Sequence, residues 1–170
     1  MTEWLDIVDE TDSVIGRAPR DQIHREGHRH RSTHIVLFNS RGQIFVQLRS
    51  RFKDVAAGLW DTSAAGHVDS GESYEACAVR ELHEELGVRV SIDQLRSVGR
   101  LCPEQRNGFE FTQVYAVCSD QSLVLQEEEV EDGRWLSVDE LGAWIEQSPA
   151  DFTQVFRVIY PMIMHVEGDS

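Results

Sequence analysis

The sequence is poor in cysteine, and its three cysteines are not arranged in pairs. Cys77, Cys102 and Cys118 form no CxxC motif and no even-numbered set. This spacing excludes a secreted disulfide scaffold and a cysteine-based zinc cluster. Cys77 falls inside a predicted helix, where we expect a small packing residue.

Basic residues are also scarce. Lys and Arg together number 16 against 30 Asp and Glu, which gives a formal net charge of −14. Such a surface disfavours non-specific binding to nucleic acid or to an anionic membrane, so neither is expected as a partner. An acidic protein that acts on an anionic substrate needs local positive charge, either from a bound metal or from arginines near the site.

Long apolar runs and repeats are absent from the sequence. No segment approaches the length of a membrane span, and residues 1–6 lack the basic start and apolar run of a signal peptide. We therefore expect a cytoplasmic protein. A length of 170 residues with 41% hydrophobic residues, and without a linker or low-complexity segment, predicts one domain over residues 1–170.

The hydrophobic pattern predicts an α+β fold. A central helix is expected to end at Gly87, and 35–38 with 44–48 are expected to form a hairpin around the turn at 39–42. The other expected strands are 5–8, 13–18, 59–63, 97–101, 109–118, 123–125 and 134–138. The other expected helices are 19–24, one capped by Ser137 and Glu140, and 151–166, kinked or shortened by Pro161.

The central helix carries three carboxylates on one face. Three- and four-residue steps return to the same side of a helix, so Glu81, Glu84 and Glu85 lie together. Like charges this close repel each other, and a hard divalent cation with oxygen ligands is the natural partner. The apolar residues fall on roughly the opposite face and predict packing on a core: Ala76, Val79, Leu82 and Leu86.

These carboxylates belong to a longer pattern of nine positions at fixed spacing. The pattern resembles the signature of the Nudix hydrolases without a departure, in Gly66, Glu72, Arg80, Glu81, Leu82, Glu84, Glu85, Gly87 and Val88. The resemblance implies a mixed β-sheet between α-helices. It also implies a hydrolase that uses Mg²⁺, or Mn²⁺, to cleave a diphosphate linkage in a small molecule.

The resemblance also implies roles for individual residues. Glu84 and Glu85 match the main metal ligands, and Glu81 matches a residue that supports the metal or acts as a base. Glu72 supports the same cluster, and the backbone carbonyl near Gly66 often joins it. Arg80 is expected to orient the neighbouring glutamate rather than to contact substrate.

A further acidic residue is expected from a loop outside the signature. The run 127–129 follows a predicted strand, and Glu129 is the preferred candidate for a ligand or a base. A solvated turn explains the same run equally well, so both interpretations stay open.

Outside the signature, residues 5–140 are similar to the subgroup related to metal-dependent isopentenyl diphosphate isomerases. Those enzymes use a cysteine two residues before the histidine that matches His67, and this place is held by Ala65. They bind a metal through histidines, two of which match His30 and His67, and His24 is a candidate for the third, although its spacing to His30 is one residue short. An alanine cannot transfer a proton, so the comparison favours hydrolysis over isomerisation.

Several residues keep two interpretations. His30 and His67 form a second metal site or contact phosphate, or else His67 bonds within a loop and His30 is solvated. Arg49, Arg51 and Lys53 bind the substrate's phosphates, or they form a solvated basic loop. Two tryptophans are expected in the core rather than as stacking platforms for a base: Trp60 and Trp135.

The leading hypothesis is a metal-dependent hydrolase of a small organic diphosphate. The alternatives are an isomerase of a prenyl diphosphate and a non-catalytic domain that binds a diphosphate. The sequence names neither the substrate nor the oligomeric state.

Overall fold

The computed structural model describes residues 1–166, so residues 167–170 of the expected domain lie outside the described part. The strands are β1 Trp4–Val8, β2 Val14–Pro19, β3 His30–Phe38, β4 Ile44–Arg49, β5 Trp60–Asp61, β6 Ala64–His67, β7 Arg96–Leu101, β8 Glu110–Cys118 and β9 Val130–Leu136. The helices are α1 Arg20–Glu26, α2 Tyr74–Leu86, α3 Val138–Gln147 and α4 Gln154–Ile163. Single 3₁₀ turns cover Ile92–Gln94, Gln105–Asn107 and Pro149–Asp151.

Strand β3 is the centre of a mixed seven-stranded sheet. It pairs in parallel with β8 along its whole length, and antiparallel with β6 over residues 32–35. Strand β4 meets β3 at a single pair, Phe38 with Ile44, and then diverges to pair with β9 and β5. Strands β4 and β6 are not paired with each other, which leaves a gap between them, and residues of both strands line the cleft described below.

The sheet is covered on both faces. One face packs on α2 through buried residues that include Ile35, Leu37 and Leu82, and the other packs on α3 and α4 through Val36, Val114 and others. Odd and even residues of β3 thus serve opposite cores, because successive side chains of a strand point to opposite faces. This α+β architecture, a mixed sheet between helices, is the predicted one.

Helix α2 is fixed at both ends by its own sequence. The Ser73 side chain accepts a hydrogen bond from the Ala76 amide at 3.1 Å, and Gly87 ends the helix at φ 70°. Leu82 and Leu86 are fully buried against the sheet, and each contributes about 1.5–3 kcal/mol by that burial. The predicted helix and its glycine cap are both present.

The hairpin of β1 and β2 is held against the rest of the chain by a polar network at its turn. Asp12, at φ 64°, accepts hydrogen bonds from Arg31 at 2.7 Å, from Arg100 at 2.6 Å and from Tyr74 at 2.8 Å. At the other end, the Ser70 amide donates to the Trp4 carbonyl at 2.8 Å. The hairpin therefore has a fixed position beside the cleft.

Three predictions about local structure are wrong. Residues 123–125 form no strand; instead the Val124 amide donates to the Leu86 carbonyl at 2.9 Å, which ties this segment to the end of α2. The predicted hairpin of 35–38 and 44–48 is reduced to one residue pair, because β6 occupies the edge of β3. Helix α4 begins only after its cap Thr153, although it ends soon after Pro161, as expected.

Within residues 1–166 no helix has both the length and the apolar character that crossing a membrane requires.

Candidate active site

An open cleft of about 1820 Å³ runs from the acidic face of α2 to the start of α4. It is larger than the ~300–1000 Å³ of typical small-molecule pockets because it is open to solvent along its length. Most of the predicted site residues line it: Gly66, His67, Arg49, Lys53, Arg80, Glu81, Glu84, Glu85 and Glu129. The remaining ones, His30, Arg51 and Glu72, are not part of its wall.

Arg80 is the centre of the acidic part. Its Nε and Nη2 atoms donate to the two carboxylate oxygens of Glu72, each at 2.9 Å. Its Nη1 donates to Glu81 at 2.7 Å and to Glu84 at 3.2 Å. Hydrogen bonding to Glu72 is the main reason why the pKa of Arg80 is raised. Arg80 therefore bonds to three carboxylates at once and joins them to one another.

Glu81 is buried at the inner edge of this network, with 8% of its surface exposed. Burial raises the pKa of Glu81 to about 7, although the nearby Arg80 guanidinium acts in the opposite direction. The backbone of Gly66 lies directly against the carboxyl group, and a Cβ atom at that position would overlap it. The glycine is thus required for the close approach of strand β6 to Glu81.

Glu85 lies one turn further along α2 and is also buried. Its carboxylate accepts a hydrogen bond from the Gln47 side chain of β4 at 2.6 Å. Burial, together with the charge of Glu81, raises the pKa of Glu85 well above its usual range. Gln47 also donates to the Ser63 carbonyl at 3.0 Å, so its amide holds the carboxylate in place across the gap in the sheet.

The donor chemistry of this face fits a hard divalent cation. Carboxylates that raise each other's pKa gain from a positive charge between them, and oxygen is the ligand that Mg²⁺ prefers. Glu84 is more exposed and bonds to Arg80. Among the described residues, the groups of three side chains with ligand atoms within 4.8 Å of one another do not include these glutamates.

The three basic residues predicted to bind phosphate differ in whether they line the cleft. Lys53 forms an ion pair with Glu129, and both side chains line the cleft. Arg51 forms an ion pair with Glu131 at an exposed position outside the cleft wall. Arg49 donates a hydrogen bond to the Val55 carbonyl at 3.0 Å and lines the cleft. The structure thus brings two of the three predicted phosphate-binding cations to the cleft.

Three histidines converge beside the acidic face. The rings of His24, His30 and His67 lie 4.9–5.2 Å apart between centroids, and one ligand atom from each falls within 4.8 Å of the others. Glu110 of β8 adds a carboxylate, which lies 3.4 Å from His30 Nε2 and 3.2 Å from His67 Nε2. Three potential metal ligands therefore share one small volume, with the Glu110 carboxylate beside two of them.

The charged groups in this cluster shift one another's pKa values. Burial would lower the pKa of His67, but hydrogen bonds to Glu110 and Glu3 outweigh it and raise that pKa to about 9. Burial would raise the pKa of Glu110, but contacts with His30 and His67 hold it well below its usual range. His30 is fully buried, and its Nε2 atom makes no hydrogen bond of acceptable geometry among the described residues. Solvation of His30, one of the two open interpretations, is therefore wrong.

Sequence reasoning left one member of the cluster in doubt and missed another. His24 looked one residue out of step with His30, but Gly27 ends α1 in the left-handed conformation at φ 69° and turns the chain back. Glu110 lies at the start of β8 and reaches His30 through the parallel β3–β8 pairing, where these two residues are partners. No local pattern reveals a contact between residues 80 positions apart.

The place of the isomerase cysteine is a wall position of the cleft. Ala65 occupies it and pairs with His34 on β3. Cys77 lies behind this strand, buried, with its thiol 3.3 Å from the His67 carbonyl, and burial raises the pKa of that thiol. The other cysteines, Cys102 and Cys118, are exposed outside the cleft wall. No cysteine of the described residues replaces the missing group.

Comparison with known proteins identifies the class to which this fold and site belong. The model of the NUDIX domain matches residues 28–157. The chain belongs to the Nudix family and is a Nudix-type pyrophosphohydrolase, an enzyme that cleaves diphosphate linkages.

Two relatives are similar to this chain over most of its length. The uncharacterized Nudix hydrolase PA4841 of Pseudomonas aeruginosa is 40% identical over 134 residues, which are 79% of this chain and 78% of that protein. Isopentenyl-diphosphate Delta-isomerase 2 of Photorhabdus laumondii is 33% identical over 161 residues, which are 94% of this chain and 91% of that protein.

Solved structures agree on the fold. The crystal structure of DR0079 from Deinococcus radiodurans is 35% identical with a TM-score of 0.73, and the match covers 85% of this chain and 90% of that one. The NUDIX domain of Shewanella oneidensis NrtR, crystallised with ADP ribose, matches with a TM-score of 0.63 at 19% identity, over 79% of this chain and 85% of that one. The second match supports the fold alone.

Proposed function

We propose that the chain is a Mg²⁺-dependent pyrophosphohydrolase of a small-molecule diphosphate, with Mn²⁺ as an alternative metal, and that residues 1–170 form one domain. The observation that carries the proposal is the pair of buried carboxylates, Glu81 and Glu85, which face the cleft on the helix that also carries Glu84. One guanidinium, that of Arg80, bonds to Glu72, Glu81 and Glu84, so this face keeps an excess of negative charge that a bound divalent cation would offset.

The proposed roles are those that the Nudix signature implies for these positions. Glu84 and Glu85 are the main ligands, with Glu81, the Gly66 carbonyl and Glu72 in support. A divalent ion at this place would offset the charge of the phosphate oxygens and lower the pKa of a water nucleophile. Glu81 or Glu129 accepts the proton of the attacking water, and the bond from phosphorus to the leaving oxygen breaks.

Arg80 and the cleft cations complete the proposed site. Arg80 positions Glu81 through the 2.7 Å hydrogen bond and does not contact substrate. Arg49 and Lys53 face the cleft and would offset phosphate charge. A phosphate-binding role for Arg51 has no support from the structure, because its guanidinium is paired with Glu131 outside the cleft.

The test of hydrolysis is the change Glu84→Gln, at an exposed position where folding is not at risk. Release of inorganic phosphate or of a phosphate monoester is measured on a panel of nucleoside and isoprenoid diphosphates, with Mg²⁺ and with Mn²⁺. We expect the variant to lose metal-dependent turnover on every substrate that the native chain cleaves. Glu146→Gln, an equally exposed change on α3, is the matched control and should retain full activity. Undiminished turnover in Glu84→Gln would refute the proposal.

We also propose a second metal site at His24, His30, His67 and Glu110. Its support is that one ligand atom from each of three imidazoles lies within 4.8 Å of the others, and that the buried Nε2 atom of His30 makes no hydrogen bond among the described residues although Glu110 lies 3.4 Å away. Co²⁺ bound there should give visible absorption bands of an imidazole-ligated ion. His24→Gln should weaken this signal, whereas Glu84→Gln should leave it unchanged. A signal that Glu84→Gln removes and His24→Gln does not would assign the metal to the glutamates.

The histidine cluster also keeps the isomerase alternative under test, since a relative named as an isomerase is 33% identical. Ala65 opposes it, because isomerisation needs a proton carrier at that place and an alanine side chain has no acidic proton. NMR of a prenyl diphosphate incubated with the enzyme decides the question. Double-bond migration without phosphate release would support isomerisation. Tight binding of a diphosphate without any turnover would instead support a non-catalytic domain.

A further inference from the structure

One buried histidine on the cleft floor takes no part in either proposed metal site. His34 lies on β3 and lines the cleft, with 8% of its side chain exposed. Its Nδ1 atom is 2.7 Å from Thr62 Oγ1 and 3.7 Å from Asp61 Oδ1. Its Nε2 atom makes no hydrogen bond within residues 1–166, yet it is not sealed off from the cleft.

The surroundings of the ring decide which nitrogen carries the proton. Two oxygens converge on Nδ1, and one of them belongs to the carboxylate of Asp61. The Thr62 hydroxyl donates a hydrogen bond to the Ala64 carbonyl at 3.4 Å, which leaves its oxygen free to accept a hydrogen bond from Nδ1. The proton is therefore assigned to Nδ1, and Nε2 presents a lone pair to the cleft.

The partners of His34 are themselves fixed. Asp61 accepts a hydrogen bond from the Thr62 amide at 2.8 Å, and its other oxygen lies 3.5 Å from the Arg49 guanidinium. Burial lowers the pKa of His34, so the ring is neutral near neutral pH. The ring is held as a neutral hydrogen-bond acceptor at a set place on the cleft floor.

We propose that His34 is a specificity-determining residue whose Nε2 accepts a hydrogen bond from a hydroxyl or N–H group on the organic part of the substrate. The proposal rests on the proposed hydrolysis of a small diphosphate. An ionised phosphate oxygen has no proton to donate, so Nε2 does not bind the diphosphate itself. A prenyl chain also lacks a donor and would leave the buried acceptor unsatisfied, whereas a sugar or nucleoside satisfies it.

The first test measures binding, so that it does not depend on turnover. Dissociation constants are measured by calorimetry for two non-hydrolysable probes, α,β-methylene-ADP and geranyl S-thiolodiphosphate. We expect the native chain to bind the nucleotide more tightly. His34→Leu should weaken nucleotide binding roughly tenfold and leave binding of the prenyl probe unchanged or stronger. His34→Gln, which keeps an acceptor oxygen, should recover part of the loss.

The second test reads the state of the ring. In ¹⁵N spectra of histidine-labelled protein, the His34 signals should report a proton on Nδ1, and the Nε2 signal should move when α,β-methylene-ADP is added. Thr62→Val should shift the ring toward the other tautomer and weaken nucleotide binding. His83→Gln, an exposed change on α2, is the control and should alter neither the tautomer of the His34 ring nor nucleotide binding.

Several results would overturn the inference. They are equal losses for both probes in His34→Leu, equal or tighter binding of the prenyl probe by the native chain, and a proton on Nε2 in the free enzyme. Failure of hydrolysis alone would remove the proposed function, while the binding preference and the ring signals would still decide the role of His34.

Discussion

The buried carboxylate of Glu81 gives the sharpest quantitative prediction. Its pKa rises from 4.5 to about 7 in the folded chain. The folded state therefore holds the proton more tightly than the unfolded state, and folding loses stability as the pH rises from about 4.5 toward 7. At about pH 5 this penalty is roughly 1 kcal/mol, and at about pH 8 it is roughly 3 kcal/mol.

Glu81→Gln removes this penalty without removing the side chain. The amide oxygen can still accept the 2.7 Å hydrogen bond from Arg80, and the loss of negative charge also relieves Glu85. In a metal chelator, we expect the variant to be more stable than the native chain. The difference should grow from roughly 1 kcal/mol near pH 5 to roughly 3 kcal/mol near pH 8.

Urea denaturation at both pH values, with EDTA and then with Mg²⁺, measures this difference. At one hundred times its dissociation constant, Mg²⁺ should stabilise the native chain by about 2.7 kcal/mol, and Glu81→Gln should gain less. Glu84→Gln is the control in EDTA, where an exposed change should shift stability by under about 0.5 kcal/mol. A Glu81→Gln variant no more stable than the native chain at pH 8 in EDTA would refute the reasoning.

Two further predictions concern residues around the same carboxylate. Gly66→Ala should displace the Glu81 side chain, since its Cβ would overlap the carboxyl group and crowd Cγ; circular dichroism should show a folded protein, while turnover should fall at least ~100-fold. Arg80→Lys should lose the paired hydrogen bonds to Glu72, because a lysine cannot reproduce the planar guanidinium. Urea denaturation should show a loss of about 1–3 kcal/mol, and an unchanged midpoint would contradict the positioning role.

The elements that sequence predicts best are those with local signals at both ends. Helix α2 has a serine cap, a glycine cap and a periodic apolar face, and it forms over Tyr74–Leu86. Residues 123–125 are a short apolar run that suggests a strand, but the Val124 amide bonds to the end of α2. Leu123 and Leu125 are partly buried against the core while Val124 is exposed, so the apolar run predicts burial only in part. Strand pairing depends on which edge is free, and that is not a local property.

The residues of the site also differ in whether local sequence signals predict them. The carboxylates of α2 share one helix face, so spacing alone brings them together. The histidine cluster joins α1, β3, β6 and β8, and the ring of His34 joins β3 to the turn before β6. These contacts depend on strand register over long sequence separations. A single sequence offers no spacing rule for them, which is why Glu110 and His34 were not predicted.

The two proposed metal sites are adjacent, because one involves Gly66 and the other involves the next residue, His67. Gly66 gives room to the Glu81 carboxyl, and the next residue, His67, places its ring against Glu110. Arg80 joins the two, because its guanidinium bonds to Glu81 at 2.7 Å and to the His67 carbonyl at 3.1 Å. A displacement of the Glu81 carboxyl would therefore meet both the backbone of Gly66 and the guanidinium that bonds to the His67 carbonyl. None of these contacts involves the side chain at position 65, so the alanine there leaves the link between the two proposed sites in place.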